Sequence, residues 1–446
     1  MMFTDLERTV VGDVWTSGAL WDSVVYLCDA CSGRAACSED ERRAGEYLLA
    51  RFAEYGLQNV AAEPFEMTGW TRGGAVLSAL VQGAPRDLPC LALPGSPAGE
   101  LEAELVDVGM GTAAEYEQVG DAVRGKIVLA DAAGPHRLEK YARACHAGAL
   151  GFAVANTQPG MLMLTGSLSL GNGPAPIVGV GLAQETAQFL RRQMRQGALR
   201  ARLSVGGASW PGVARNIVAE LPGTDPAAGW LVVCGHYDGH DVAQAAQDNA
   251  TGTALALEAA RVLAPLRARL VAGLRFVLFS GEEYGLLGSQ AYVRAHRGEL
   301  EQIRCVVNAD VAGLASPLRF AVQQNSELAE RLRHPDLRHL DMVVEESSIS
   351  AHSDHFPFVA AGVNAVVAHT SAPRASLGGW AHTMADTLDK VDSRELQLSA
   401  ATFAVLLLHI AIEPHDLPSG RRAPEAVRKM LADAGLEEDE ALDCQE

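Results

Sequence analysis

The sequence predicts an α/β protein: a mostly parallel central sheet flanked by helices, with a smaller α/β unit inserted near its start. Two observations carry this. From residue 214 onward, short apolar, β-branched-rich runs (216–221, 230–234, 275–279 and 303–308) appear, with helical segments at 252–263 and 286–296 between the later ones. Strands that are apolar on both faces belong to a parallel sheet covered on both sides. Between about 71 and 210, a second and shorter strand–helix rhythm runs with frequent Gly and Pro punctuation.

In chain order, 20–30 reads as a helix and 38–56 as an amphipathic one. Ser38 and Glu41 have capping-box spacing, Ala44, Tyr47, Leu48, Phe52 and Tyr55 share a face, and Gly56 ends the segment. Runs at 76–81 and 101–108 are short strands. Residues 125–130 read as a strand, 138–148 as a helix, 151–155 and 176–180 as strands, and 185–196 as a helix. Beyond the central series, 318–323 and 365–368 are further strands and 394–412 is a long helix with an apolar face. From about 418 the chain turns polar and acidic, ending EEDEALDCQE, and is expected to fray. The expected division is 1–70 and 211–420 as one domain, 71–210 as the insert, and 421–446 as an acidic tail.

With 446 residues, 48% of them hydrophobic, the chain suits two or three domains and a large core. Its eight cysteines are then not needed as staples. Cys28 and Cys31 form a C-x-x-C, read as two small buried residues on a helix rather than a redox or metal pair. A net charge of −19 argues against nucleic acid as a partner. The N-terminus lacks the basic and apolar regions of a signal peptide, and no uninterrupted apolar run has the length of a membrane span. A cytoplasmic protein without a membrane partner is expected.

The chemistry gathers at strand ends. The run 230–234 leads into Gly235-His236-Tyr237-Asp238, 275–279 into Ser280-Gly281-Glu282-Glu283, and 303–307 into Asn308-Ala309-Asp310. Gln247-Asp248-Asn249-Ala250-Thr251-Gly252 lies between the first two and opens a helix. Open α/β sheets bind ligands beyond the carboxyl ends of their strands, and His with carboxylates suits zinc. Each acid alone has an ordinary reading: Asp248 as a helix N-cap, Glu282 and Glu283 as charges at a helix start. Their coincidence at three strand ends, with His382 further on, outweighs it, because several carboxylates buried together need cations.

The series HYD (236–238), QDNATG (247–252), FSGEEYGLLGS (279–289), NADVAG (308–313), SDHFPF (353–358) and HTMADTLDKVD (382–392) resembles the co-catalytic zinc peptidases. That family includes bacterial aminopeptidases, glutamate carboxypeptidase and the non-enzymatic transferrin receptor. The resemblance covers about 20–65 and 211–412. The intervening VRGKIVLAD, HAGALGFAVAN and PIVGVG resemble a protease-associated domain. The resemblance implies two zinc ions and a peptide substrate. His236 and Asp310 would hold one ion, Glu283 and His382 the other, and Asp248 would bridge them. Glu282 would be the general base toward the attacking water, and Asp238 would orient the His236 imidazole. It further implies a cis Asp248–Asn249 peptide.

One position departs from the family: the Tyr often found before the metal-binding His is here Ala381, after Trp380. His352 and His355 are weak candidates for the missing hydrogen-bond donor, and they, with His240, His296 and His369, are read as ordinary loop or cap residues. Aminopeptidase activity is the expectation. A carboxypeptidase or dipeptidase would need basic residues at the site, with Arg275 and Arg374 the most obvious near the motifs. A non-catalytic receptor on this fold would have lost metal ligands, and none is missing; for the same reason a glutaminyl-cyclase-like transferase is disfavoured.

Overall fold

The computed structural model describes residues 4–169, 172–370, 379–418 and 420–436. Among these, fourteen strands form one continuous twisted sheet that serves two cores. In the first half the order runs from Met342–Ser347 through Leu318–Gln323, Ala365–His369, Ile303–Ala309, Trp230–His236 and Gly273–Phe279 to Arg200–Leu221. The middle strands are parallel; Leu318–Gln323 runs antiparallel to Ala365–His369, and Arg200–Leu221 antiparallel to Gly273–Phe279. Alternation along one strand shows why both faces are apolar. Leu231 and Val233 pack with Val10, Leu48, Leu255 and Phe403 on one side, while Val232 and Cys234 pack with Tyr292, Phe358 and Val427 on the other. Helices Asp5–Thr16, Glu39–Glu54, Thr251–Leu263 and Ser393–Ile412 cover the first face; Leu287–Ala295, Phe356–Ala360 and Pro424–Asp433 cover the second. Ser393–Ile412 is long and apolar enough to cross a membrane, but it is mostly buried in this core.

The second half is a smaller α/β unit. Gly99–Asp107, Ile127–Asp131, Gly151–Ala155 and Val178–Leu182 pair in parallel, with helices Arg137–His146 and Gln184–Met194 against them. The halves are joined by two very long strands, Gln58–Val81 and Arg200–Leu221, which pair antiparallel almost throughout. Position 71 falls in the middle of the first and 210 in the middle of the second, so the chain passes between units without a loop.

Several local expectations are corrected. Ser38 does cap its helix, accepting from the Glu41 amide at 3.1 Å. Glu41, however, does not return the bond: its carboxylate is drawn inward to the Tyr237 hydroxyl at 2.5 Å, and burial pushes it up to about 7. The stretch after 418 is not all frayed. Pro424–Asp433 is a helix, because Val427, Met430 and Leu431 fall on one face and bury there; residues 437–446 lie outside the described part. Cys28 and Cys31 are free buried thiols, Cys28 inside a π-helical turn, Tyr26–Ala30, and Cys31 just after it.

Candidate active site

Parallel pairing aligns the strand ends. Phe279 is in register with His236, and Asn308 with Cys234, so the residues that follow project over one edge of the sheet. His236 Nε2 lies 3.1 Å from Asp248 Oδ1 and 3.4 Å from Asp310 Oδ1. His382 Nε2 lies 3.2 Å from Asp248 Oδ2 and 3.5 Å from Glu283 Oε2. The two oxygens of Asp248 therefore face two different imidazoles, each with a further carboxylate beside it. The sequence-predicted residues His236, Asp248, Glu283, Asp310 and His382 form one ring. Glu282 is drawn to the His236 side: its carboxylate, His236 and Asp310 have donor atoms all within 4.8 Å of one another.

Local structure differs from the simple capping picture. Asp248 caps no helix; Asn249 Oδ1 instead accepts from Gly252 N at 3.1 Å and Val311 N at 3.2 Å, leaving the Asp248 carboxylate for the ring. The Asp248–Asn249 peptide is cis. Glu282 and Glu283 precede helix Leu287–Ala295 by a full turn rather than opening it, since Gly281 turns the chain with φ 74°. Asp238 fastens that turn, accepting from the Glu282 amide at 3.2 Å and the Glu283 amide at 3.4 Å, with His236 Nδ1 3.6 Å away.

The adjacent glutamates are electrostatically unequal. Burial lifts Glu282 well above the usual carboxylate range, and Glu283, Asp310 and Asp354 add to the lift against His236. Burial acts on Glu283 too, but His240 and His382 face it and hold it below that range. Asp238, Asp248, Glu283 and Asp354 are all buried, and among the described residues none has a lysine or arginine ion-pair partner. Such a set calls for cations, and its mixture of imidazole and carboxylate donors, with neighbours 3.1–3.5 Å apart, fits zinc.

Sequence reasoning overlooked the groups that hold this ring. Arg34 is fully buried, and its guanidinium donates to the carbonyls of Tyr237, Leu27, Gln244 and Ala245 at 2.7–2.9 Å. It thus ties the His236–Asp238 turn to the approach to Asp248. Asp386, inside a quoted motif but given no role, accepts from the Gln247 and Asp248 amides at 2.7 and 3.1 Å. Ser353 donates to Asp310 Oδ2 at 2.5 Å and accepts from Asn308 Nδ2 at 2.6 Å. His240, read as an ordinary loop residue, sits in the ring with Nε2 2.9 Å from Glu283 Oε2. His355 is buried away from solvent, and His352 stacks at 3.9 Å on His136 of the smaller unit.

The smaller unit forms one wall of the site. Thr165 N donates to His382 O at 2.8 Å, Leu164 bridges to Thr383, and Arg72 pairs with Asp241. Arg137 is half-buried; burial pulls it down to about 10, while the charges of Glu283 and Glu282 reach it and oppose the fall. Of the basic residues expected near the site, Arg275 is held by Glu220 and Glu299 on the strand, and Arg374 lies outside the described residues.

Known proteins resemble this chain over most of its length. Residues 216–407 match the profile of Peptidase family M28 and residues 101–190 that of the PA domain. Aminopeptidase YwaD of Bacillus subtilis (strain 168) is 28% identical over 92% of this chain and 87% of its own length. Carboxypeptidase Q of Bos taurus is 25% identical over 89% of this chain and 86% of its own. Among solved structures, the aminopeptidase from Aneurinibacillus sp. strain AM-1 superposes with a TM-score of 0.70 at 25% identity, covering 94% of this chain and all (100%) of that one. The strand-end ring, the inserted unit and both matches converge: residues 216–407 are similar to peptidase family M28 and residues 101–190 to the PA domain.

Proposed function

We propose that this protein is a zinc-dependent exopeptidase that releases N-terminal residues from peptides, using two ions held at the ends of the central strands. The observation that carries the reading is the Asp248 carboxylate, whose two oxygens face His236 and His382 at 3.1 and 3.2 Å. His236 and Asp310 would hold one ion, Glu283 and His382 the other, and Asp248 both. When bound, such ions polarise the scissile carbonyl and make water a competent nucleophile near neutral pH. The protein's own residues do the rest. Glu282, beside His236 and Asp310, accepts the proton of the attacking water and passes it to the departing amine. The Asp238 carboxylate fixes the Glu282–Glu283 turn, and the Asp238 main-chain carbonyl, 3.3 Å from His236 Nδ1, fixes the His236 ring, so that the base and the ligands keep their separation. The names of the Bacillus subtilis relative and the Aneurinibacillus structure support release from the N-terminal side. The test is a panel of aminoacyl-p-nitroanilides beside N-acetylated peptides, before and after chelation and with zinc restored. Zinc-restored cleavage confined to free N-termini is expected; cleavage of blocked peptides at their C-termini would overturn the reading.

A second reading, carboxypeptidase or dipeptidase, is favoured by Arg137 and by the likeness to carboxypeptidase Q. The Arg137 guanidinium, anchored through Nε to Ser167 O at 2.8 Å and reached by the charges of Glu282 and Glu283, suits a substrate carboxylate. On this reading Arg137→Ala raises KM for free dipeptides at least tenfold more than for their C-terminal amides. Equal effects on both would remove it.

A further inference from the structure

We propose that His240 is an additional metal ligand, which makes the two ions of the site unequal. This rests on the di-zinc reading above and sharpens it. His240 is 5% exposed, and Nε2 lies 2.9 Å from Glu283 Oε2. Its ring stands edge-on to His382, with centroids 4.8 Å apart and an interplanar angle of 72°. The donor atoms of His240, Glu283 and His382 all lie within 4.8 Å of one another.

A buried imidazole beside a carboxylate is commonly a hydrogen-bonded pair. Here the distance is short enough, yet neither ring nitrogen of His240 completes an aligned hydrogen bond, and Glu283 Oε1 has no partner either. Leaving both nitrogens of a buried imidazole unsatisfied is costly. Two donors placed side by side, each aimed past the other, are arranged to share a third atom. Ligands 2.0–2.1 Å from one tetrahedral zinc sit about 3.3 Å apart, close to the separations in this cluster. A neutral imidazole adds a donor without adding negative charge to an already acidic cluster.

With His240 counted, the ion on this side has four protein donors: His240, Asp248, Glu283 and His382. The other side has three: His236, Asp248 and Asp310. Four protein donors close a zinc site, whereas three leave room for water or substrate. The His236 side, where Glu282 also lies, is thus the open one, and the His240 side is the anchored one.

X-ray absorption on the fully loaded wild-type protein tests this without any variant. Three imidazoles per two zinc ions are expected, whereas two would overturn the assignment. Zinc competition against a chromophoric chelator, on the full chain, tests it independently. His240→Ala should weaken one of the two sites at least tenfold and leave the other unchanged. His240→Asn, which keeps a hydrogen-bond donor toward Glu283 but is a poor zinc ligand, should behave as His240→Ala does. Retained affinity in His240→Asn alone would make His240 a hydrogen-bonding neighbour of Glu283, and retained affinity in both variants would leave it no role; either result overturns the proposal. A wild-type protein holding fewer than two ions would instead sink the di-zinc reading, and this inference with it.

Discussion

Glu282 and Glu283 are neighbours in sequence with opposite surroundings, and that contrast is testable. Glu283 faces two imidazoles, while Glu282 faces one and is crowded by other acids. Glu282→Gln is expected to keep zinc and lose on the order of 10²–10⁴ in kcat; Glu283→Gln should lose zinc and activity together. Metal content and kcat measured side by side decide it, and the reverse pattern would exchange the two roles. Arg34 makes a different demand. Arg34→Met leaves the carbonyls of Tyr237, Leu27, Gln244 and Ala245 buried without a donor. A stability loss on the order of 3 kcal/mol is expected, together with weaker zinc binding, read by thermal unfolding and chelator competition. Wild-type zinc affinity in that variant would limit Arg34 to a structural role. The ring residues were legible in the sequence because each sits in a contiguous motif at a strand end. Arg34 and His240 were not: Arg34 bonds to carbonyls more than 200 positions away, and a lone histidine in a loop has no pattern to betray it.

At the level of elements, the apolar strands and the helices Thr251–Leu263, Leu287–Ala295 and Ser393–Ile412 were readable from periodicity, because burial imposed it. The two long strands were legible only at their ends, as the runs 76–81 and 216–221. Gln58–Val81 and Arg200–Leu221 run beyond either core and contain Pro64 and Pro211, so their apolar pattern breaks up where they leave the packed layers. Helix Pro424–Asp433 was missed because its short apolar stripe is embedded in charge. One tie between elements predicts a pH effect. His296, just after helix Leu287–Ala295, meets Glu63 of the first long strand at 3.0 Å, and that hydrogen bond raises its pKa, against burial. The unfolded value is about 6.5. The folded chain therefore holds this proton more tightly, and the stabilisation is fully present below the unfolded value and fades as pH rises through the raised one. Glu63→Gln should accordingly lower the unfolding temperature more at about pH 6 than at about pH 9. A gap that widens with rising pH would show the tie to be absent.

For the whole molecule, the PA-domain profile and the strand–helix rhythm of the insert could be read from the sequence, but its place against the site could not. Contacts such as Thr165 with His382 and His136 with His352 join segments some 200 residues apart and leave no trace in either. Those contacts depend on the paired strands that carry the insert. Near their midpoint, residues 73 and 74 face Gly206 between the pairs Arg72–Gly207 and Ala75–Val205, a bulge. A Cβ on Gly73 would come within 2.4 Å of the Gly206 backbone. An angle forced open at that crossing would displace the wall bearing Arg137, which the same paired strands carry. Gly73→Ala should therefore change KM and weaken zinc binding on the His382 side, because the wall holds the His382 carbonyl through the Thr165 amide. Natural variation at this crossing would retune which peptides fit, with no ligand, base or strand end altered.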